Sequence, residues 1–540
     1  MAEARVRPDL PRNRQPCDLP NPKSSASFWH SEPSALLLAH RSTRNLPETA
    51  DVVVIGSGMT GASVAHHLLT ESKEKVDVVM LEAREACWGA TGRNGGHCQP
   101  ILFEHPHDPS IGHFELRNFH TLQDLINEKQ IDCEFVAQPG VRAIYSRGHF
   151  NDTELALSIM KDTAPELASM MRLVTNRDEL NSLRIPSALG AVVTDIAARM
   201  WPYKFVSKIL EDLITSTKLK GTFNLQTLTP VDKVSKTDDS DHVIVETERG
   251  NIKAKQVVLA TNAYTSHLLH NFADLIVPCR GQMSALIPFP SVAGEDRLKT
   301  SLGFMGEGVD DYLIQRPNER GGHLMFGGGR QHGRSIGVTD DSVIDDKTAH
   351  YLRGRLVEAL NLPEGGQRAV LDVACNYCKT RRIKCFRTAG WKPCNNCQRF
   401  CQPCSNTTAT ATPTDTTSWK EMNATHMWTG IMGFSRDDKP WVGPVPGNDN
   451  TFIAAGFTGH GMPNTWLSGK AVAVMVAKTL AGSNSGSAIS AASDETGLPK
   501  SYYITKDRIE AAMLLEDVGS RDWAEMERGK RAEIPISGYA

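Results

Sequence analysis

The 540-residue chain has no apolar run near the roughly 18 residues that cross a bilayer as a helix. Its first 50 residues lack a positively charged start leading into an apolar core, so neither a membrane span nor a secretory leader is expected. An excess of charge is lacking too: 59 Lys and Arg stand against 62 Asp and Glu, a formal charge of −3. That excludes chain-wide attraction to nucleic acid or acidic lipid, so any affinity for a polyanion has to be local. No internal repeat and no sustained heptad is present, which argues against a solenoid and against a dimerising coiled coil. A cytosolic location is the default expectation, with the nucleus as the alternative.

What is present points to more than one domain, because 540 residues exceed what a single core usually serves. Residues 1–50 are rich in Pro, Ser and Arg and read as an arm that wraps the surface or is partly disordered. From Asp51, DVVVIGSGMTGASVAHHLL followed by VDVVMLEA reads as strand, glycine turn, helix and strand, a βαβ unit with a buried parallel strand. The middle of the chain mixes helical stretches such as YKFVSKILEDLI with strand-like ones such as KQVVLAT and HLMFGGG. SNTTATATPTDTTS, residues 405–418, reads as a polar linker, and GSNSGSAISAAS as a second flexible piece before a charged tail. Between them TFIAAG predicts a strand and WLSGKAVAVMVAKTLA a helix.

GSGMTG supplies Gly56, Gly58 and Gly61 in the G-x-G-x-x-G spacing, with Met59 and Thr60 opening the helix. The first glycine permits the tight turn, the second lets backbone approach a pyrophosphate, and the third lets helix and strand pack closely. The helix start offers N–H groups and the positive end of a dipole to phosphates. Glu82, about 20 residues on at the end of the second strand, is placed to accept from a ribose hydroxyl. Nicotinamide and flavin dinucleotides both satisfy this pattern.

The next segment, EAREACWGATGRNGGH, resembles the second flavin-contacting segment of the D-amino-acid oxidase, glycine oxidase and sarcosine oxidase superfamily. The matching positions are Ala83, Arg84, Ala90, Thr91, Gly92, Arg93, Asn94, Gly95 and Gly96. KQVVLATNAY around Thr261 and Asn262, the RGQM turn at Arg280–Met283, and AAGFTGHGMPNTWLSGK from Ala454 to Lys470 agree in order. The resemblance implies FAD held by these segments, with further contacts from Val231, Gly456, Gly459, Gly461 and Met462, and an amine oxidised to an imine by hydride transfer to flavin. It places the N–H groups of Gly459–Met462 and the His460 side chain where negative charge develops on the ring, making His460 the candidate catalytic residue; a packing role for it stays open. His97 and Cys98 raise a covalent flavin link, against a noncovalent flavin with His97 lining the cavity.

The implied fold class is α/β: a Rossmann-like FAD-binding domain, a mixed α/β substrate domain and a small zinc-cluster insertion. FAD-binding segments are expected over 51–115, 191–270 and 421–482, and substrate-domain segments over 116–190 and 271–372. Residues 373–420 form the insertion and linker, and 483–540 a C-terminal tail.

For the substrate, amino-acid oxidases of the superfamily carry an Arg-Pro pair before T-x-D-G-x-P, and that Arg grips a carboxylate. Here Met432-Gly433 stand in its place. The Trp428–Ser435 version, W-x-G-x-M-G-F-S, is more similar to the bacterial γ-glutamylputrescine oxidase type, which favours an amine over an α-amino acid, with oxygen or another electron acceptor. Arg316 and Arg330 are alternative clamps, and Tyr312 either faces the cavity or packs in a core. A hydride mechanism needs no Ser, Cys or Lys nucleophile.

Of twelve cysteines, seven fall between Cys375 and Cys404, a clustering that favours metal over disulfides. Cys375, Cys378, Cys385, Cys394, Cys397 and Cys404 resemble the fungal Zn₂Cys₆ cluster, in which six thiolates hold two zinc ions, and Cys401 is an extra thiol. The span holds seven Lys or Arg and no acid, which suits DNA phosphates. Three readings stay open: a flavin oxidase carrying a zinc module, a DNA-binding regulator carrying a flavin domain, and a gene-model or splicing error.

Overall fold

Val52, Val53 and Val54 have no solvent exposure. They lie in strand β1, Thr49–Ile55, which is paired in parallel on both sides, with β2, Val78–Leu81, and with Gly250–Leu259. A strand covered on both edges and both faces has no polar side, which is why its sequence shows no alternation. Helix α1, Met59–Thr70, makes the crossover between β1 and β2. The computed structural model describes residues 14–237, 242–306, 308–365 and 421–520, together with the strand pair 369–370 and 386–387.

Among the described residues β1 belongs to an eight-stranded sheet, ordered 441–445, 448–455, 250–259, β1, β2 and 223–226. The antiparallel strands 243–247 and 233–236 attach through 250–259. A second sheet of nine strands runs 424–435, 276–286, 324–328, 309–315, 301–306, 136–144, 190–199 and 97–98, with 171–174 beside 190–199. Sheet membership cuts across the segment boundaries expected from sequence. Residues 97–98, 190–199 and 424–435 all pair in the second sheet, because a strand's sheet is set by its partner and an apolar strand does not announce that partner.

Helix Thr465–Leu480 lies across α1 at close range: a Cβ on Gly469 would come within 2.6 Å of Ser63 Cβ and 2.7 Å of Thr60 O. Helix α2, Pro109–Lys129, buries Phe114, Asn118, Phe119 and Leu122 on one face. Asn118 joins it to the long helix, accepting from Leu467 N–H at 2.9 Å and donating to Met462 O at 3.2 Å. No helix among the described residues is long and apolar enough to cross a membrane.

The expected flexible piece at 482–493 is instead largely a helix, Ser485–Thr496. The Asn484 side chain caps it, accepting from Ser487 N–H, and Gly497 closes it in the left-handed conformation. Its small residues have the composition of a linker, but Ala488 and Ala492, one turn apart, are buried against the neighbouring helix. The following segment is anchored by Arg508, which donates to Asp437 at 2.8 and 3.0 Å and stands 3.8 Å over the Trp441 ring. Burial pushes the Asp437 carboxyl up, but the hydrogen bonds and charge of Arg508, with Ser435, hold it below its ordinary value. Because the folded value is depressed, this contribution is present above the unfolded value of about 4 and is lost as pH falls through the folded one. In acid titration Arg508→Gln is expected to flatten that loss, read by Trp441 fluorescence.

Candidate active site

The turn after β1 is built on glycine for two separate reasons. Gly56 has φ +104°, and a Cβ there would sit 2.6 Å from Ala260 O. Gly61 lets α1 rest on the turn, since a Cβ would fall 1.9 Å from Gly56 O. Gly58 meets only the Thr91 side chain and faces a cavity that runs from this turn to the second sheet. The first amides of α1 have no carbonyl partner within the helix. The Met59 amide donates to Thr91 Oγ1 at 3.1 Å. Glu82 also lines the cavity; its Oε2 accepts from Ser57 N–H at 3.0 Å and Ser57 Oγ at 2.7 Å, and its Oε1 accepts from Arg84 N–H at 2.9 Å. A carboxylate has lone pairs left for a further hydroxyl.

Of the cofactor residues expected from sequence, Gly56, Gly58, Met59, Thr60, Glu82, Ala83, Arg84, Ala90, Thr91, Arg93, Asn94, Val231, Thr261, Gly459, Gly461 and Met462 are brought to this cavity wall. Gly61, Gly95, Gly96 and Gly456 stand behind it. A Cβ on Gly95 would meet the Tyr312 ring, one on Gly96 would meet Met200 O and the Trp29 ring, and the Gly456 N–H donates to Asn262 Oδ1 at 3.0 Å. The cysteines 375, 378, 385, 394, 397, 401 and 404 lie outside the described residues.

His460 is displaced from its expected role. Its side chain is not part of the wall; Nε2 lies 3.0 Å from Glu115 Oε1, and its own N–H donates to Phe457 O at 2.8 Å. Burial pushes the Glu115 carboxyl up, but the charge and hydrogen bond of His460, with the Ile101 amide and Asn464, bring it below its usual range. His460 thus acts on the turn before the long helix rather than on the cavity. His97 is also set back from the wall: its Nε2 lies 2.7 Å from Gln99 Oε1, and burial lowers it to about 4, so it is neutral at neutral pH. Burial pushes the Cys98 thiol up to about 12. Neither residue is part of the cavity wall, although the His97 ring stands 6.3 Å from the Tyr312 ring.

The two arginines singled out as alternative clamps are committed elsewhere. Arg316 donates to Glu134 at 2.6 and 3.1 Å and lies 4.6 Å over the Phe28 ring. Arg330 pairs with Asp310 at 2.6 Å. Tyr312 and Met432 do line the cavity.

Sequence reading missed the group that organises the loop beneath the cavity. Asp341 has no exposure and meets two cations, accepting from Arg84 Nη1 at 2.9 and 3.0 Å and lying 3.3 Å from Arg93 Nε. Burial pushes Arg93 down to about 10 while Asp341 opposes that shift. The arm supplies the other partners: Arg93 donates to Ser25 O at 2.5 Å and Ser24 Oγ at 3.1 Å, and Trp29 Nε1 to Asn94 O at 2.5 Å. Leu19 and Pro20 of the arm complete the wall. Trp29 is fully buried, so Trp29→Ala is expected to cost about 3–5 kcal/mol in chemical denaturation. The bulky aromatic pair Phe28-Trp29 in an arm rich in Pro, Ser and Arg is the available signal.

The wall fits a bound flavin dinucleotide. It offers a glycine cradle and helix amides at one end and a ribose-compatible carboxylate beside it. At the far end the Thr465 hydroxyl lines the cavity, buried and without a partner among the described residues. The family described as "DAO: FAD dependent oxidoreductase" matches residues 51–386, and the chain belongs to it. It is 26% identical over 263 residues to gamma-glutamylputrescine oxidoreductase of Escherichia coli K12, a match covering 45% of this chain and 56% of that relative. The chain thus spans little more than half the length of that curated relative. Among solved structures, L-proline dehydrogenase from P. horikoshii superposes with TM-score 0.55 at 18% identity, covering 81% of this chain and 95% of that one. Glycine oxidase from Geobacillus kaustophilus gives 0.57 at 15% identity, covering 80% and 95%. These likenesses share the α/β two-sheet fold.

Proposed function

We propose that the protein oxidises an amine to an imine with FAD seated in this cavity. The observation that carries the reading is continuity: one cavity joins the Gly56–Gly58 turn and Glu82 to Met283, Tyr312, Ile431 and Met432 of the second sheet. Bound FAD supplies the two-electron acceptor for a C–H bond next to nitrogen. In this reading the amides that open α1 take the pyrophosphate and Glu82 takes a ribose hydroxyl. Asn94, the Gly461 and Met462 backbone and the Thr465 hydroxyl take the polar edge of the ring. Tyr312, Met283 and Ile431 present an apolar floor that excludes water from the reacting carbon.

An amine is favoured over an α-amino acid because Met432, an apolar side chain, lines the cavity where the superfamily's arginine clamp is expected. The printed name of the E. coli relative points the same way. Purified full-length protein is expected to show flavin absorbance that bleaches anaerobically with a primary amine, and oxygen or another acceptor to restore it. Bleaching by no amine sinks the reading. Glu82→Ala is expected to weaken FAD binding by roughly 10- to 100-fold, read by flavin retention on dialysis.

The six-cysteine spacing also supports a zinc module beside the oxidase. Metal analysis should find about two zinc ions per chain, and a zinc-free protein with full flavin would remove that module from the reading. The basic spacer alone carries the DNA-binding alternative, so oxidation stands as the function.

A further inference from the structure

One cross-strand row of the second sheet carries a feature that the proposed function leaves unused. Arg142 pairs with Gly303, Gly303 with Tyr312, Tyr312 with Gly327, Gly327 with Met283, and Met283 with Trp428. Residues directly opposite one another in neighbouring strands share a face, so Arg142 stands on the face where Tyr312 and Met283 line the cavity, itself just beyond the wall. The intervening glycines leave that face open. A Cβ on Gly303 would sit 3.0 Å from Arg142 Cδ and 3.1 Å from Nη1, so the guanidinium lies over Gly303 and leans toward Tyr312. The Tyr312 ring leans the other way, its hydroxyl 3.0 Å from Met283 Sδ.

Arg142 is unmatched. Among the described residues its side chain has no ion pair and no hydrogen bond, and its Nε is buried without a partner. Burial lowers its affinity for the proton, against the more distant charges of Glu104, Asp310 and Glu115. Asp310 is engaged by Arg330, and Glu115 lies beside His460. By contrast Arg84, Arg93, Arg316 and Arg330 all have an acidic partner. A partly buried guanidinium without an anion is costly, and a ligand that brings one removes the cost.

We propose that Arg142 holds the carboxylate of a substrate that carries its amine several bonds away, so that the protein is selective for ω-amino acids and amines with a remote carboxylate. The inference rests on the amine-oxidation reading. Arg142 and Tyr312 are two strands apart, roughly 10 Å at the backbone. A carboxylate on Arg142 therefore leaves the reacting carbon at the cavity floor only if a chain separates them, which excludes an α-amino acid bound through this residue. The fork geometry of guanidinium and carboxylate gives two parallel N–H···O bonds.

The test uses the flavin-bound full-length protein and valerate, which carries the carboxylate but no amine to oxidise. By calorimetry, Arg142→Met is expected to weaken valerate binding roughly 10- to 100-fold, and Arg142→Lys by less, with pentanol binding and flavin content unchanged. In anaerobic reduction, δ-aminovalerate should outperform pentylamine and norvaline in wild type, and lose its lead over pentylamine in Arg142→Met through apparent affinity rather than limiting rate. Valerate that fails to bind, or binds Arg142→Met as tightly as wild type, overturns the inference. So does norvaline outperforming δ-aminovalerate. Arg142-dependent valerate binding with no flavin reduction by any amine leaves the anion site standing and removes the oxidation reading instead.

Discussion

Asp341→Ala is expected to destabilise the protein by about 3–5 kcal/mol, as much as the loss of the buried Trp29 side chain. The carboxylate is fully buried between Arg84 and Arg93, and without it two guanidinium groups share a site with no anion. Their remaining partners are neutral: Trp88 O for Arg84, and Thr429 O and Ser25 O for Arg93. Those bonds position the cations without neutralising them. Residues 84–94 form the loop along the cavity wall, so flavin retention should fall together with stability. Denaturant unfolding followed by flavin fluorescence gives both readings. Combining Asp341→Ala with Arg93→Met should recover part of the loss, since one cation less is left bare; equal stability for Asp341→Ala and wild type would mean that water or another group neutralises the pair.

Gly61→Val is expected to abolish flavin retention, a loss greater than about 100-fold in affinity if the protein still folds. A Cβ at this position would lie 1.9 Å from Gly56 O and 3.4 Å from Val54 Cγ1, so α1 has to lift from the turn, carrying the amides of Met59 and Thr60 with it. Relief by rotation is not available, because the nearest obstruction is the Gly56 backbone. Gly486→Ala is the matched control. It sits near the start of helix 485–496, where a Cβ meets only Asn484 Oδ1 at 3.5 Å, and the change should be neutral or slightly stabilising. Absorbance spectra of the two purified variants decide the matter.

How much of this was legible in the sequence follows from how local each feature is. The β1 turn, Glu82 and the loop to Asn94 lie in one stretch of chain whose spacing has a steric reason at each glycine, and the cavity wall contains them. Asp341 was invisible because it is an ordinary acid until the fold brings it to two arginines some 250 residues away. His460 was misplaced by one side of a turn: its neighbours Gly459 and Gly461 line the cavity while its imidazole turns back to α2. Composition misled at 485–496, where serine and alanine looked like a spacer although two alanines were spaced for a helix contact. Arg142 looked like any strand arginine, and only the cross-strand row shows what it faces.

The arm carries a consequence for the order in which the molecule can be assembled. Ser25 donates its hydroxyl to Asp341 O at 2.8 Å and accepts from the Thr429 amide at 3.0 Å across 404 residues of chain. Trp29 meets Asn94 and Trp201, but Ser25 can take up its bonds to Asp341 and Thr429 only after some 300 to 400 further residues have been made. The Leu19–Pro20 side of the cavity wall is consequently fixed by bonds that span far more chain than those of the Gly56–Asn94 side, so it is the side through which cofactor can enter while those bonds are still unmade.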